Sequence, residues 1–271
     1  MRGQLPPPLA ENLAKALQSD FFITLLVSSQ TKGKFKSMNL PFGLGKTNLA
    51  MWLSYTLHGG VSGDDDDPVW EEVFDHMKYY PSKIMKAIIP EDGKPPRNKI
   101  PAIIYDDVQF TAPAAQSVPQ VVRDFASDLT TERPALAILI LTSPNMNNMA
   151  APLRKLVTYE LIVSERGFYE VQQITYHKNY KNPLMDKVSL DFVEGQKEGE
   201  NPTIFPQLSP KIQQRYDEWR AMEKRPKQRR LVDRLNKYEM QLEGTTFKET
   251  DPADVILASK AASALAKKRW G

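Results

Sequence analysis

Apolar residues recur along this chain in distinct spacings, and each spacing predicts a different element. Leu9, Leu13 and Leu17 fall at every fourth position, which places them on one face of a helix over residues 9–19. FFITLLVSS, residues 21–29, is an apolar, β-rich run, and it predicts a strand. QTKG, residues 30–33, reads as a turn, and KFKSMNL, residues 34–40, as a second strand. TNLAMWLSYTL, residues 47–57, predicts a helix, and HGGVSGDDDDP, residues 58–68, a polar loop. Residues 69–89 predict two helices broken near Pro81, followed by a loop over 90–98.

Two later stretches hold apolar runs that end on polar residues: IPAIIYDDVQF, residues 100–110, whose run ends at Asp106-Asp107, and ALAILILT, residues 135–142, whose run ends at Thr142-Ser143. A strand buried on both faces in a parallel sheet has this pattern, with polar groups delivered at its carboxyl end. A helix over 118–129 separates the two runs. Residues 156–164 and 168–177 flank Glu165-Arg166-Gly167 and read as a hairpin or as two neighbouring strands. Residues 178–210 are loop-rich, with a strand-like piece at 188–192. A long charged helix follows over 206–243, with a kink expected at Pro226, and a capped helix over 251–270 ends the chain. Strands alternating with helices predict an α/β domain with a mostly parallel sheet flanked by helices, over residues 1–204. Residues 205–271 are expected to form a basic helical extension of that domain.

Composition narrows the function classes. The 271 residues contain no cysteine, so disulfides and thiolate metal sites are excluded. No apolar run is long enough for a membrane helix, and the first twenty residues hold no secretory apolar segment, so a cytoplasmic protein is expected. His58, His76 and His177 have no metal-ligand spacing, and each reads as surface or partly buried structure. Asp64–Asp67 lack the alternating ligands and closing glutamate of a calcium loop and read as a solvated loop. Charge is uneven. From residue 205 onward there are 15 Lys/Arg against 9 Asp/Glu, whereas the rest of the chain is slightly acidic. A basic extension of this kind fits an anionic partner or a solvated helical face.

The candidate chemistry starts at Phe42-Gly43-Leu44-Gly45-Lys46-Thr47-Asn48. Gly43 and Gly45 let the backbone turn without Cβ clashes, Lys46 can reach terminal phosphates, and Thr47 has a hydroxyl for Mg²⁺. Leu40 stands where the full phosphate-loop pattern has glycine, and Pro41 removes one N–H donor. Asp106 ends an apolar strand, where an acid can hold Mg²⁺ and its waters, and Asp107 beside it can orient an attacking water. The 135–142 strand is expected next to the Asp106 strand, presenting Thr142 or Ser143 toward a γ-phosphate.

These pieces resemble a known family. Gly43 to Leu49, GLGKTNL, is similar to the GLGKTHL of DnaA-type AAA+ replication initiators. Asp106 to Phe110, DDVQF, is similar to their DDIQF, and Ile140 to Ser143 to their sensor strand ILTS. The matches run in the family's order over roughly residues 35–150. Relatives of the family include DnaC-type helicase loaders and reduced ATPases of archaeal viruses and plasmids. The resemblance implies an ASCE-type, AAA+-like P-loop fold, ATP and Mg²⁺ as ligands, and ATP-driven homo-oligomers acting on DNA or with a replicative helicase. Asp107 is shorter than the glutamate of many AAA+ proteins, so slow turnover is expected. Arg154, just after the sensor strand, is the first candidate for an arginine finger acting on a neighbouring subunit, and Arg166 the second.

Lys224, Arg225, Lys227, Arg229 and Arg230 form the densest basic run and can neutralise nucleic-acid phosphates. Lys267-Lys268-Arg269-Trp270 adds charge and one aromatic ring. Three functions fit the sequence. One is an ATPase in replication initiation or helicase loading. Another is a DNA packaging or transfer motor. The third is a nucleotide-switched adaptor without turnover.

Overall fold

The computed structural model describes residues 5–29, 45–89, 98–114, 119–131, 135–177, 187–192 and 203–223. The strand expected over 34–40, the first half of the glycine–lysine loop and the helix expected over 251–270 lie outside them.

One sheet organises the described residues. Its strands are β1 (Ile23–Ser29), β2 (Met77–Lys78), β3 (Ile100–Tyr105), β4 (Leu136–Thr142), β5 (Tyr159–Glu165), β6 (Phe168–His177), β7 (Lys187–Phe192) and β8 (Thr203–Ile204). Their spatial order is β2-β3-β4-β1-β5-β6-β7, with β8 on β6. The pairs from β2 through β5 are parallel. The pairs made by β6 are antiparallel. The change starts between β5 and β6, where a tight turn returns the chain antiparallel whereas parallel neighbours need a crossover. The turn between β5 and β6 is Arg166-Gly167, with Gly167 at φ +85°, the left-handed conformation that such turns require.

Helices cover both faces. They are α1 (Pro7–Gln18), α2 (Lys46–Leu57), α3 (Val69–Asp75), α4 (Pro81–Ile88), α5 (Gln120–Thr131) and α6 (Ala151–Arg154), with α7 over residues 210–219. The break expected near Pro81 is the start of α4, where a missing N–H costs nothing. The short edge strand β2 lies just before it, unannounced by any apolar run.

Side chains alternate across the sheet, so each strand feeds two cores. Ile23, Leu25 and Val27 of β1, Ala102 and Ile104 of β3, and Ile138 and Ile140 of β4 face one core. Leu9 and Leu13 of α1, Leu49 and Leu53 of α2, Trp70 of α3, and Ile212 and Tyr216 of α7 close that core. Leu26, Ile103, Tyr105, Leu139 and Leu141 face the other, closed by α4, α5 and α6. The first compact unit runs to Trp219, past the charge shift near residue 205, because Phe205, Leu208, Ile212 and Tyr216 pack into its core. The second unit, Arg220–Gly271, is described only over residues 220–223, which are helical. Among the described residues no helix is long and apolar enough to cross a membrane.

The aspartate-rich loop has a structural task. Asp67 accepts hydrogen bonds from Tyr55 Oη at 2.5 Å and Ser62 Oγ at 3.0 Å, and from the Val69 N–H at 3.0 Å at the start of α3. Asp66 pairs with Lys211 at the start of α7.

Glu160 of β5 is 7% exposed, and burial raises its pKa above the ordinary carboxylate value. A carboxyl with a raised folded pKa binds more protons folded than unfolded, so its contribution to stability declines as pH rises past its unfolded pKa. Glu160→Gln is therefore expected to raise the melting temperature at pH 7 by more than at pH 4, as read by thermal denaturation at both pH values.

Candidate functional site

Register and alternation together assemble the site. Val27 pairs with Thr142 across β1 and β4, and Leu141 pairs with Tyr105 across β4 and β3. The parallel strands therefore end together, bringing Ser29, Thr142 and Asp106 to one edge of the sheet. Period two puts each on the same face as the residue two before it, namely Val27, Ile140 and Ile104. That is the face covered by α2, which packs over β1, β3 and β4. The carboxyl edge of a parallel sheet, beneath a helix N-terminus, is where such folds bind ligands.

Gly45 sits at the N-cap of α2 with φ +93°, so the chain enters the helix through a left-handed residue. The first hydrogen bond within the helix runs from the Leu49 N–H to the Gly45 carbonyl, so the N–H groups of Lys46, Thr47 and Asn48 lie ahead of it. Together with the helix dipole they suit an anion. Lys46 Nζ donates to Ser29 Oγ at 3.2 Å, which holds the ammonium at the end of β1.

Asp106 has no solvent exposure. Its Oδ1 accepts from Thr47 Oγ1 at 3.1 Å and from Thr142 Oγ1 at 2.7 Å. Its Oδ2 accepts from Tyr216 Oη at 3.0 Å, and the same hydroxyl lies 3.5 Å from Thr47 Oγ1. Thr142 Oγ1 also accepts from the Asp107 N–H at 2.8 Å. Asp107 is the one non-glycine among the described residues with positive φ, at 52°, and aspartate tolerates that region better than most residues. Its Oδ1 accepts from Gln109 Nε2 at 3.4 Å.

The structure thus brings Gly45, Lys46, Thr47, Asn48, Asp106, Asp107 and Thr142 to one edge. Thr142 has its hydroxyl on the Asp106 carboxylate, and Ser143, expected as its alternative, donates to the Asn145 carbonyl at 2.9 Å. Arg154 ends α6, with its guanidinium donating to Asn147 Oδ1 at 3.3 Å, and Arg166 is exposed at the β5–β6 turn. Phe42, Gly43, Leu44 and the basic run Lys224, Arg225, Lys227, Arg229 and Arg230 lie outside the described residues.

Sequence reasoning missed Ser29 and Tyr216. Ser29 was visible as the polar end of an apolar run. Tyr216 had only its four-residue spacing from Ile212, which marks a helix face but not what that face touches.

Thr47 and Asp106 offer a hydroxyl and a buried carboxylate, an oxygen-only donor pair suited to a hard cation such as Mg²⁺. Lys46 and the α2 N-terminus offer positive charge for phosphate. Asp107 offers a carboxylate next to both.

No protein-family model matches this chain, and no curated protein matches it. Among solved structures it is similar to the N-terminal domain of zonular occludens toxin from Neisseria meningitidis, at 16% identity and a TM-score of 0.33, over 65% of this chain and 96% of that one. It is also similar to the genome packaging NTPase B204 from Sulfolobus turreted icosahedral virus 2. The complex with ATP-γS matches at 10% identity and a TM-score of 0.32, over 65% of this chain and 100% of that one. The complex with AMPPCP matches at 10% identity and a TM-score of 0.34, over 64% and 97%. Likeness at this level carries no argument about activity, so the functional reading rests on the site.

Thr142→Val removes a hydroxyl that serves two partners, the buried Asp106 carboxylate and the partly buried Asp107 N–H. A loss of about 1–3 kcal/mol is expected, because each unsatisfied buried polar group costs that order of free energy. Thr142→Ser, which keeps the oxygen, should recover most of it. Urea denaturation of the two variants beside wild type makes the comparison.

Proposed function

We propose that this chain binds ATP with Mg²⁺ and hydrolyses it, and that it acts on DNA in replication initiation or helicase loading as an ATP-dependent homo-oligomer. The observation that carries the ATP reading is the convergence of Lys46, Thr47 and Asp106 at the carboxyl edge of parallel strands, beneath a glycine-led helix N-terminus. What supports the DNA reading is the basic run at 224–230 together with the three motifs shared with replication initiators.

The residues have separable roles. Lys46 and the first N–H groups of α2 bind the phosphates and offset their charge as it shifts in the transition state. Thr47 and Asp106 would hold Mg²⁺, which when bound supplies charge neutralisation on the phosphate oxygens. Asp107 accepts a hydrogen bond from the attacking water and aligns it with the γ-phosphorus. The water oxygen forms the new P–O bond and gives up one proton through Asp107 to solvent, the bond to the β-phosphate oxygen breaks, and ADP and phosphate leave. Thr142 positions both acids, touching one side chain and the other's backbone.

A second reading is a nucleotide switch without turnover, and Tyr216 favours it. Its hydroxyl occupies the Asp106 and Thr47 oxygens that a cation needs, so it has to yield before the site is complete.

Steady-state ATP hydrolysis separates the readings. Wild type is expected to turn over with Mg²⁺, and Lys46→Ala and Asp107→Asn to lose about 100-fold or more, the scale of losing one transition-state contact. Double-stranded DNA is expected to raise the wild-type rate. ATP binding without turnover would favour the switch, and the absence of binding would remove both readings.

A further inference from the structure

His58, Glu72 and His76 are distant in sequence pattern but meet in the fold. His58 follows the last residue of α2, Glu72 lies within α3, and His76 follows its last residue. Two aromatic contacts fix the helices against each other. The Trp52 and Trp70 rings stand edge to face at 5.3 Å, and the Tyr55 and Trp70 rings stack at 4.4 Å. This packing leaves the His58 and His76 rings 5.0 Å apart, and one ligand atom from each of the three residues lies within 4.8 Å of the others.

The imidazoles are oriented by backbone carbonyls. His58 Nε2 faces the Ala102 carbonyl of β3 at 3.1 Å, and His76 Nδ1 faces the Glu72 carbonyl at 2.9 Å. A carbonyl only accepts, so the facing nitrogen carries the proton. In the neutral ring the other nitrogen then has a lone pair to offer. That is the state a metal-binding histidine needs, with a carbonyl on the second nitrogen, and because Glu72 Oε2 lies 3.7 Å from the protonated Nδ1 of His76, the carboxylate has to swing toward Nε2 on binding.

We propose that His58, Glu72 and His76 form a binding site for a divalent transition metal of the zinc class, with a fourth position left to water. Two imidazoles and one carboxylate select zinc, cobalt or nickel over magnesium and calcium, which take oxygen ligands. Tetrahedral zinc with ligands near 2.1 Å separates them by about 3.4 Å, so the side chains close by roughly an ångström on binding. Glu72, 60% exposed, has room to make that movement. The bound metal ties the carboxyl end of α2 to α3, and His58 ties the same point to β3. This site is independent of the nucleotide reading, since it shares no side chain with it.

The test is calorimetric titration of metal-free full-length protein with ZnCl₂ in excess Mg²⁺, which saturates oxygen-only sites. One zinc per chain is expected. His58→Ala and His76→Ala should each weaken binding at least tenfold, the lower range found even for disturbing outer-shell partners. Glu72→Gln, an exposed change that leaves the fold alone, should also weaken it, whereas His177→Ala should not. Cobalt in place of zinc should give the visible absorption of a four-coordinate ion, lost in His76→Ala. Zinc binding that is absent, or unchanged in the His58, Glu72 and His76 variants, overturns the proposal.

Discussion

A carboxylate with no access to water must be held by donors or by a cation, because its desolvation costs several kcal/mol or more. Asp106 is held by three hydroxyls from three separate parts of the chain: Thr47 on α2, Thr142 on β4 and Tyr216 on α7. The rest of the arrangement follows from meeting that need. The parallel register has to end β3 and β4 together, α2 has to begin above them, and α7 has to pack across the same face. Thr142 then does double service by accepting the Asp107 N–H, which fixes the left-handed turn after Asp106.

Much of this was legible in the chain because buried parallel strands have a simple signature. The runs 21–29, 100–106 and 135–142 are mostly apolar and end in Ser29, Asp106 and Thr142, and burial on both faces leaves no alternation to misread. The glycine–lysine stretch was legible for a different reason, since Gly45 at φ +93° needs a residue without Cβ. The two-residue strand β2 left no trace, because it is too short to set a pattern and its pairing with β3 is a tertiary event. Tyr216 was likewise hidden. Helical spacing says that a residue faces inward, but which groups it meets depends on where the helix packs.

The histidines are scattered along the chain, and only Glu72 and His76 share a helical spacing. His58 joins them through the stacking of Trp52, Tyr55 and Trp70, a contact that no short-range pattern encodes. The fold therefore places chemistry at both ends of α2. Lys46 and Thr47 stand at its amino end, and His58 caps its carboxyl end. The aspartate run between α2 and α3, which could suggest a cation loop, instead closes the connection through Asp67 and Tyr55.

On the proposed reading, the hydroxyl-bound Asp106 and the Lys46 helix terminus are two halves of one Mg²⁺–ATP site. Calorimetric titration of ATP into the full chain, with and without Mg²⁺, tests it most directly. One ATP per chain is expected, bound more tightly with Mg²⁺, with that difference abolished in Asp106→Ala. Saturable ATP binding that ignores both Mg²⁺ and Asp106, or no binding at all, would contradict it.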